Sequence, residues 1–197
     1  MLRKLLWATV VVMLASCRTV PVHHEVPAAA QSWEARRPQL QARDKFELKG
    51  RVAVATGSDG FNARLRWTQD GKQTHMSLDG PLGAGGVQVT SDGSAVSIVT
   101  SRGDRLNNDA ARAELANRLG FDPPIDNLRY WVLGVPEPSH PAQESLDAQQ
   151  RLATLEQDGW QIQYTDYMSV SGEWLPSKLT LQRQGIRVRL VVDGWNS

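Results

Sequence analysis

Apolar residues in this chain recur at every second position over short stretches, and that period of two limits the fold more than any other feature. Phe46, Leu48, Val52 and Val54 fall on one side of a stretch whose other side carries Lys45, Glu47, Lys49 and Arg51. Phe61, Ala63, Leu65 and Trp67 then alternate with Asn62, Arg64, Arg66 and Thr68. Gln69-Asp70-Gly71-Lys72 supplies a hairpin turn with Asp-Gly at its centre, from which Thr74, Met76 and Leu78 return. Near the C-terminus Ile186, Val188, Leu190 and Val192 alternate with Arg187, Arg189 and Asp193, and Val191 alone breaks the pattern. Each stretch reads as a strand with one face in a core and the other in water.

Shorter strands are expected over 87–90 and 95–100, joined by Ser91-Asp92-Gly93-Ser94, and again over 151–157, 159–164 and 178–183. Between them the pattern changes. Asp109 reads as an N-cap for a helix over 110–119 that Gly120 stops, and a second helix is expected over 126–133, sharing Leu128, Trp131 and Val132 on one face. Gly134 and a loop spaced by Pro136, Pro138 and Pro141 end it. Ahead of the first strand, Ser32 can cap a short helix carrying Trp33 and Leu40, with Pro38 inside it. The expected class is α+β: a strongly curved antiparallel sheet, an unclosed β-barrel, with short helices packed on its concave face.

The N-terminus carries a different signal. Arg3 and Lys4 precede an apolar run from Leu5 to Ala15, which has the form of a secretory signal and is shorter than the ~20 residues a membrane-spanning helix needs. The run ends in Leu14-Ala15-Ser16-Cys17, which resembles the lipobox of bacterial lipoproteins. That likeness implies cleavage before Cys17, lipid on its sulfur, and attachment to a membrane. Arg18 stands where lipoproteins retained in the inner membrane carry Asp, which points to the periplasmic face of the outer membrane. The organisation expected is therefore a signal peptide over 1–16, a lipidated Cys17 with a proline-containing tether over 17–30, and one domain over 31–197.

Chemistry is scarce in that domain. Cys17 is the only cysteine, so neither an intrachain disulfide nor a two-cysteine redox or zinc motif can form. His23 and His24 fall in the tether, His75 in a strand and His140 in the proline-spaced loop, without a third metal ligand beside them. The chain contains no H-E-x-x-H, G-x-S-x-G or Walker sequence, and Gly83-Ala84-Gly85-Gly86 does not open a helix. With 22 Lys and Arg against 21 Asp and Glu, the charge balance gives no reason to expect nucleic acid as a partner. Neither an enzyme nor a cofactor is expected.

The order of the short motifs is more informative than any of them alone. Trp33 with Leu40, Phe46-Glu47-Leu48-Lys49-Gly50-Arg51, Trp67-Thr68-Gln69, Pro81-Leu82-Gly83, Leu128-Arg129-Tyr130-Trp131-Val132-Leu133-Gly134, Gly159-Trp160, Leu175-Pro176-Ser177-Lys178-Leu179 and Trp195 together resemble the LolB family of outer-membrane lipoprotein receptors, across essentially the whole chain.

The resemblance implies an unclosed barrel shared with the periplasmic lipoprotein carrier LolA, an apolar cavity for the acyl chains of cargo lipoproteins, and delivery into the inner leaflet of the outer membrane by a monomer. It places a membrane-insertion loop at Pro81, Leu82 and Gly83, with Leu82 as the residue that enters the lipid. The apolar faces offer Phe46, Leu48, Val52, Leu65, Trp67, Met76, Leu78, Trp131, Ile162 and Leu190 as candidates for the cavity lining. Arg64, Arg66, Arg187 and Arg189, on polar strand faces, either solubilise the outside or meet an acidic partner. Two other readings stand beside this one: a lipoprotein binding another amphiphile such as a glycolipid, and a structural lipoprotein with protein partners only.

Overall fold

The computed structural model describes residues 32–57, 59–81 and 85–196. Its elements are α1 (Trp33–Gln41), β1 (Lys45–Thr56), β2 (Asp59–Asp70), β3 (Gln73–Asp79), β4 (Val87–Ser91), β5 (Val96–Thr100), β6 (Arg105–Asn107), α2 (Asn108–Leu119), α3 (Ile125–Trp131), β7 (Ala142–Leu146), β8 (Leu152–Gln157), β9 (Trp160–Val170), β10 (Glu173–Arg183) and β11 (Ile186–Asn196). All the strands join one antiparallel sheet in the order β6-β5-β4-β3-β2-β1-β11-β10-β9-β8-β7. Every neighbour in the sheet except β1 and β11 is a neighbour in sequence. Among the described residues β6 and β7 pair on one side only, so the barrel stays open, and both edge strands are short, which limits pairing with other chains.

Period-two alternation becomes one buried and one wet face. In β1 the buried positions are Phe46, Leu48, Gly50 and Val54, while Lys45, Glu47, Lys49 and Arg51 are exposed. The seam between β1 and β11 depends on Gly50. A register shift falls between Lys49 and Gly50, and a Cβ on Gly50 would lie 2.3 Å from the Val191 carbonyl oxygen. Only a residue without a side chain lets the two backbones approach this closely.

The helices differ from the sequence reading in ways with physical causes. Ser32 caps α1 as expected, its Oγ accepting from the Ala35 N–H at 3.4 Å. Asp109 is not the N-cap of α2 but lies in its first turn; the cap position belongs to Asn107, whose side chain instead accepts from Ser97 Oγ at 2.7 Å across the β5–β6 pair. Gly120 ends α2 in the left-handed conformation, its N–H donating to the Ala116 carbonyl. α3 stops at Trp131 rather than Leu133. There the Gly134 and Val135 N–H groups turn back to the carbonyls of Trp131 and Tyr130, which drives the Val132-Leu133-Gly134-Val135 segment into the core.

The strands at the C-terminal side are longer than their patterns suggested. β10 begins at Glu173 and passes through Pro176, which is tolerated because the β10–β11 ladder starts only at Lys178 and the β9 register shifts there. The Pro176 carbonyl accepts from the Trp195 indole at 3.1 Å instead. β6 and β7 were not expected at all. β7 hides its alternation because the inward side of Ala142–Leu146 carries Glu144, which accepts from the Trp33 indole at 2.7 Å and pairs with Arg37 at 2.9 Å.

Candidate functional site: an apolar cavity between sheet and helices

Two kinds of interior lie on the concave side of the sheet. The first is filled, mostly by aromatic rings. Phe46 packs edge-on against Trp67 and Trp195, with centroids 5.5 and 5.6 Å away, and Trp131 lies 6.4 Å from Trp160. Polar tips are anchored: the Trp131 indole donates to Gln157 Oε1 at 2.8 Å, and the Gln157 amide donates to the Glu137 and His140 carbonyls. Tyr164 donates its hydroxyl proton to the Trp131 carbonyl at 2.9 Å and Tyr167 to the Leu152 carbonyl at 2.6 Å. Burial pushes both phenols above their ordinary value, so each remains a neutral donor. The Trp160 indole N–H is buried without a partner among the described residues.

The second interior is mainly aliphatic and incompletely filled. A cavity of about 110 Å³ lies between the sheet and the helices. Val52, Val54, Phe61, Leu65, Trp67, Met76, Leu78 and Val89 line it from β1 to β4, and Leu179, Leu181, Val188 and Leu190 from β10 and β11. Leu115 and Leu119 of α2, Ile125 and Leu128 of α3, and Phe121, Pro123 and Val132 beside them close it from above. Every lining residue is apolar. Such a wall offers no donor or acceptor to orient a polar ligand, so what it can hold is hydrocarbon.

Six of the lining candidates from sequence, Val52, Leu65, Trp67, Met76, Leu78 and Leu190, stand on this wall. Phe46, Leu48, Trp131 and Ile162 do not; they pack into the filled interior, where Trp131 and Ile162 are fully buried. The residues that the strand patterns missed fall into two groups. Val54 and Val188 lie one step along the alternations that hold Val52 and Leu190, which places them on the inward face without saying which interior they meet. Leu115, Leu119 and Phe121 were not legible, because which face of α2 meets the sheet depends on where the chain crosses it.

Pro81 is exposed at the end of β3; Leu82, Gly83 and Cys17 lie outside the described residues. Among the described residues no helix is long and apolar enough to cross a membrane. His140 is exposed and lies 3.1 Å from Asp158 and 3.3 Å from Glu137, while His75 is exposed on β3.

An antiparallel sheet that does not close, with short helices held over an apolar space, defines an unclosed barrel that encloses an apolar cavity. Solved structures share that fold: a LolA superfamily protein from Nitrosomonas europaea, TM-score 0.53 at 11% identity over 85% of this chain and 94% of that one, and a DUF1329 family protein from Desulfovibrio piger, TM-score 0.57 at 7% identity over 83% and 90%. Within this class the chain belongs to the LolB family: residues 44–195 match the family model described as outer membrane lipoprotein LolB. Proteins named outer-membrane lipoprotein LolB from Pseudomonas aeruginosa (strain LESB58) and Nitrosococcus oceani are 36% and 35% identical to it. The first alignment covers 98% of this chain and 96% of the relative, the second 93% and 92%.

Proposed function

We propose that this protein accepts lipoproteins from the periplasmic carrier LolA by taking their acyl chains into the aliphatic cavity, and releases them into the inner leaflet of the outer membrane. The wholly apolar wall of the cavity is the observation that carries this reading. Each buried methylene contributes about 0.8 kcal/mol, so exposing a chain of roughly 15 methylenes to water costs about 12 kcal/mol. Passing the chain from one apolar cavity to another avoids that cost, and the step runs downhill if the second cavity holds it better. Neither nucleotide nor metal is required.

In this reading lipid on Cys17 holds the domain at the outer membrane through the 17–30 tether, and Leu82, flanked by Pro81 and Gly83, enters the bilayer during release. Leu82→Glu tests it in a two-step assay with the lipidated protein. Transfer of cargo from the carrier is expected to proceed as in the wild type while delivery into liposomes falls; unchanged delivery removes Leu82 from the mechanism. Failure of the wild-type protein to take acylated cargo from the carrier would remove the reading as a whole.

A further inference from the structure

The outer face of the sheet carries a row of cations that the cavity does not use. Arg51 on β1 is the direct cross-strand neighbour of Arg64 on β2, and Lys49 is that of Arg66. Like charges placed opposite one another weaken a sheet, so each pair costs stability unless an anion lies between or beside the two. Among the described residues only Arg51 of these four makes an ion pair, with Asp193 at 2.8 Å on an exposed surface. Arg189 of β11 pairs in register with Ala53, whose other neighbour is Asn62 of β2. Arg51, Arg64, Arg189 and Asn62 thereby surround a groove floored by Ala53 and Val191, with Asp79 and Gly80-Pro81 at the end where β3 leaves the sheet. The Arg64 and Arg189 guanidinium groups make no ion pair among the described residues, although Asp79 is the register partner of Arg64.

We infer that this groove binds the phosphodiester of an anionic membrane lipid and so lays the β1–β2–β11 outer face, with the β3 end, against the bilayer. Guanidinium forks match phosphate oxygens in pairs, and a small-residue floor leaves room for the headgroup between them. An extended row suits an extended anionic surface: Lys49, Arg66 and Arg187 continue the exposed positive face away from the groove. The groove also adjoins Pro81, next to the residue proposed to enter the lipid. The inference rests on the delivery reading only in placing the protein at a membrane.

Native mass spectrometry of the full-length lipidated protein, released from nanodiscs of phosphatidylcholine with a minority of phosphatidylglycerol, tests it. Phosphatidylglycerol adducts are expected in excess over their share of the bilayer. Arg64→Gln with Arg189→Gln is expected to reduce the excess by about fivefold per arginine, the ratio set by about 1 kcal/mol for each basic residue at an anionic surface. Arg64→Lys with Arg189→Lys keeps the charge without the fork and should leave an excess between those of the wild type and the glutamine variant, separating charge from loss of fold. Adducts in proportion to the bilayer, or an excess unchanged in the glutamine variant, overturn the inference. So does a glutamine variant that keeps the excess but no longer binds the carrier, which would assign the row to an acidic protein partner. None of these outcomes bears on acyl-chain uptake, which the carrier-transfer step reads by itself.

Discussion

The filled interior and the aliphatic cavity are built on the same curved sheet, and sometimes on the same strand, yet they solve opposite problems. Phe46 and Leu48 of β1 end in the aromatic packing, whereas Val52 and Val54, further along that strand, face the cavity. The filled side joins large rings to fixed polar partners, through Gln157, Trp131 and the Tyr164 hydroxyl. On the cavity side Trp67 alone is held in this way, its indole donating to Gln69 at 3.1 Å. The other lining residues hold one another by dispersion and exclusion of water, interactions that have no direction and can be exchanged for contacts with a hydrocarbon chain. Rigid shape on one side and replaceable contacts on the other are what a reversible lipid-binding fold needs.

The largest expected effect breaks the filled side. Trp131→Ala removes a fully buried ring together with its indole bond to Gln157, and should lower unfolding free energy by about 3–5 kcal/mol in urea titrations, against about 2 kcal/mol for Met76→Ala on the cavity wall. Equal losses would mean that the two interiors are packed alike. The seam comes next: Gly50→Ala forces β1 away from the Val191 carbonyl and should cost about 1–3 kcal/mol, seen in the same titration.

A smaller effect, absent at neutral pH, sharpens the contrast. Tyr164 and Tyr167 have phenols raised by burial above their unfolded value near 10, so the stability they supply is complete below pH ~10 and is lost as the pH climbs from there toward their folded values. Thermal melts should show this alkaline loss reduced in Tyr164→Phe and Tyr167→Phe, and unchanged in Met76→Ala.

Strands were legible where a half-buried face left a clean alternation, as in β1, β2 and β11, and illegible where a polar group faces inward. Glu144 conceals β7, and Pro176 conceals the first half of β10. The split between filled and open interior was beyond the pattern, because Phe46, Leu48, Val52 and Val54 share one alternation. What separates them is which helix lies above: α2 and α3 over Val52 and Val54, and the neighbouring Trp67 and Trp195 rings around Phe46. That is tertiary information, carried by crossings between segments far apart in sequence. The family resemblance supplied the cavity, but not its walls.

Site-specific photo-crosslinking tests the central claim most directly. A photoreactive amino acid at Leu119, on the cavity wall, and another at Gln88, on the outer face of β4 beside the inward Val89, would be placed separately in the full-length protein, which is then loaded from the carrier with a lipoprotein labelled in its acyl chains. Label crosslinked at Leu119 and not at Gln88 is the predicted result; transfer of cargo with no label captured at Leu119, or with equal label at both, contradicts it.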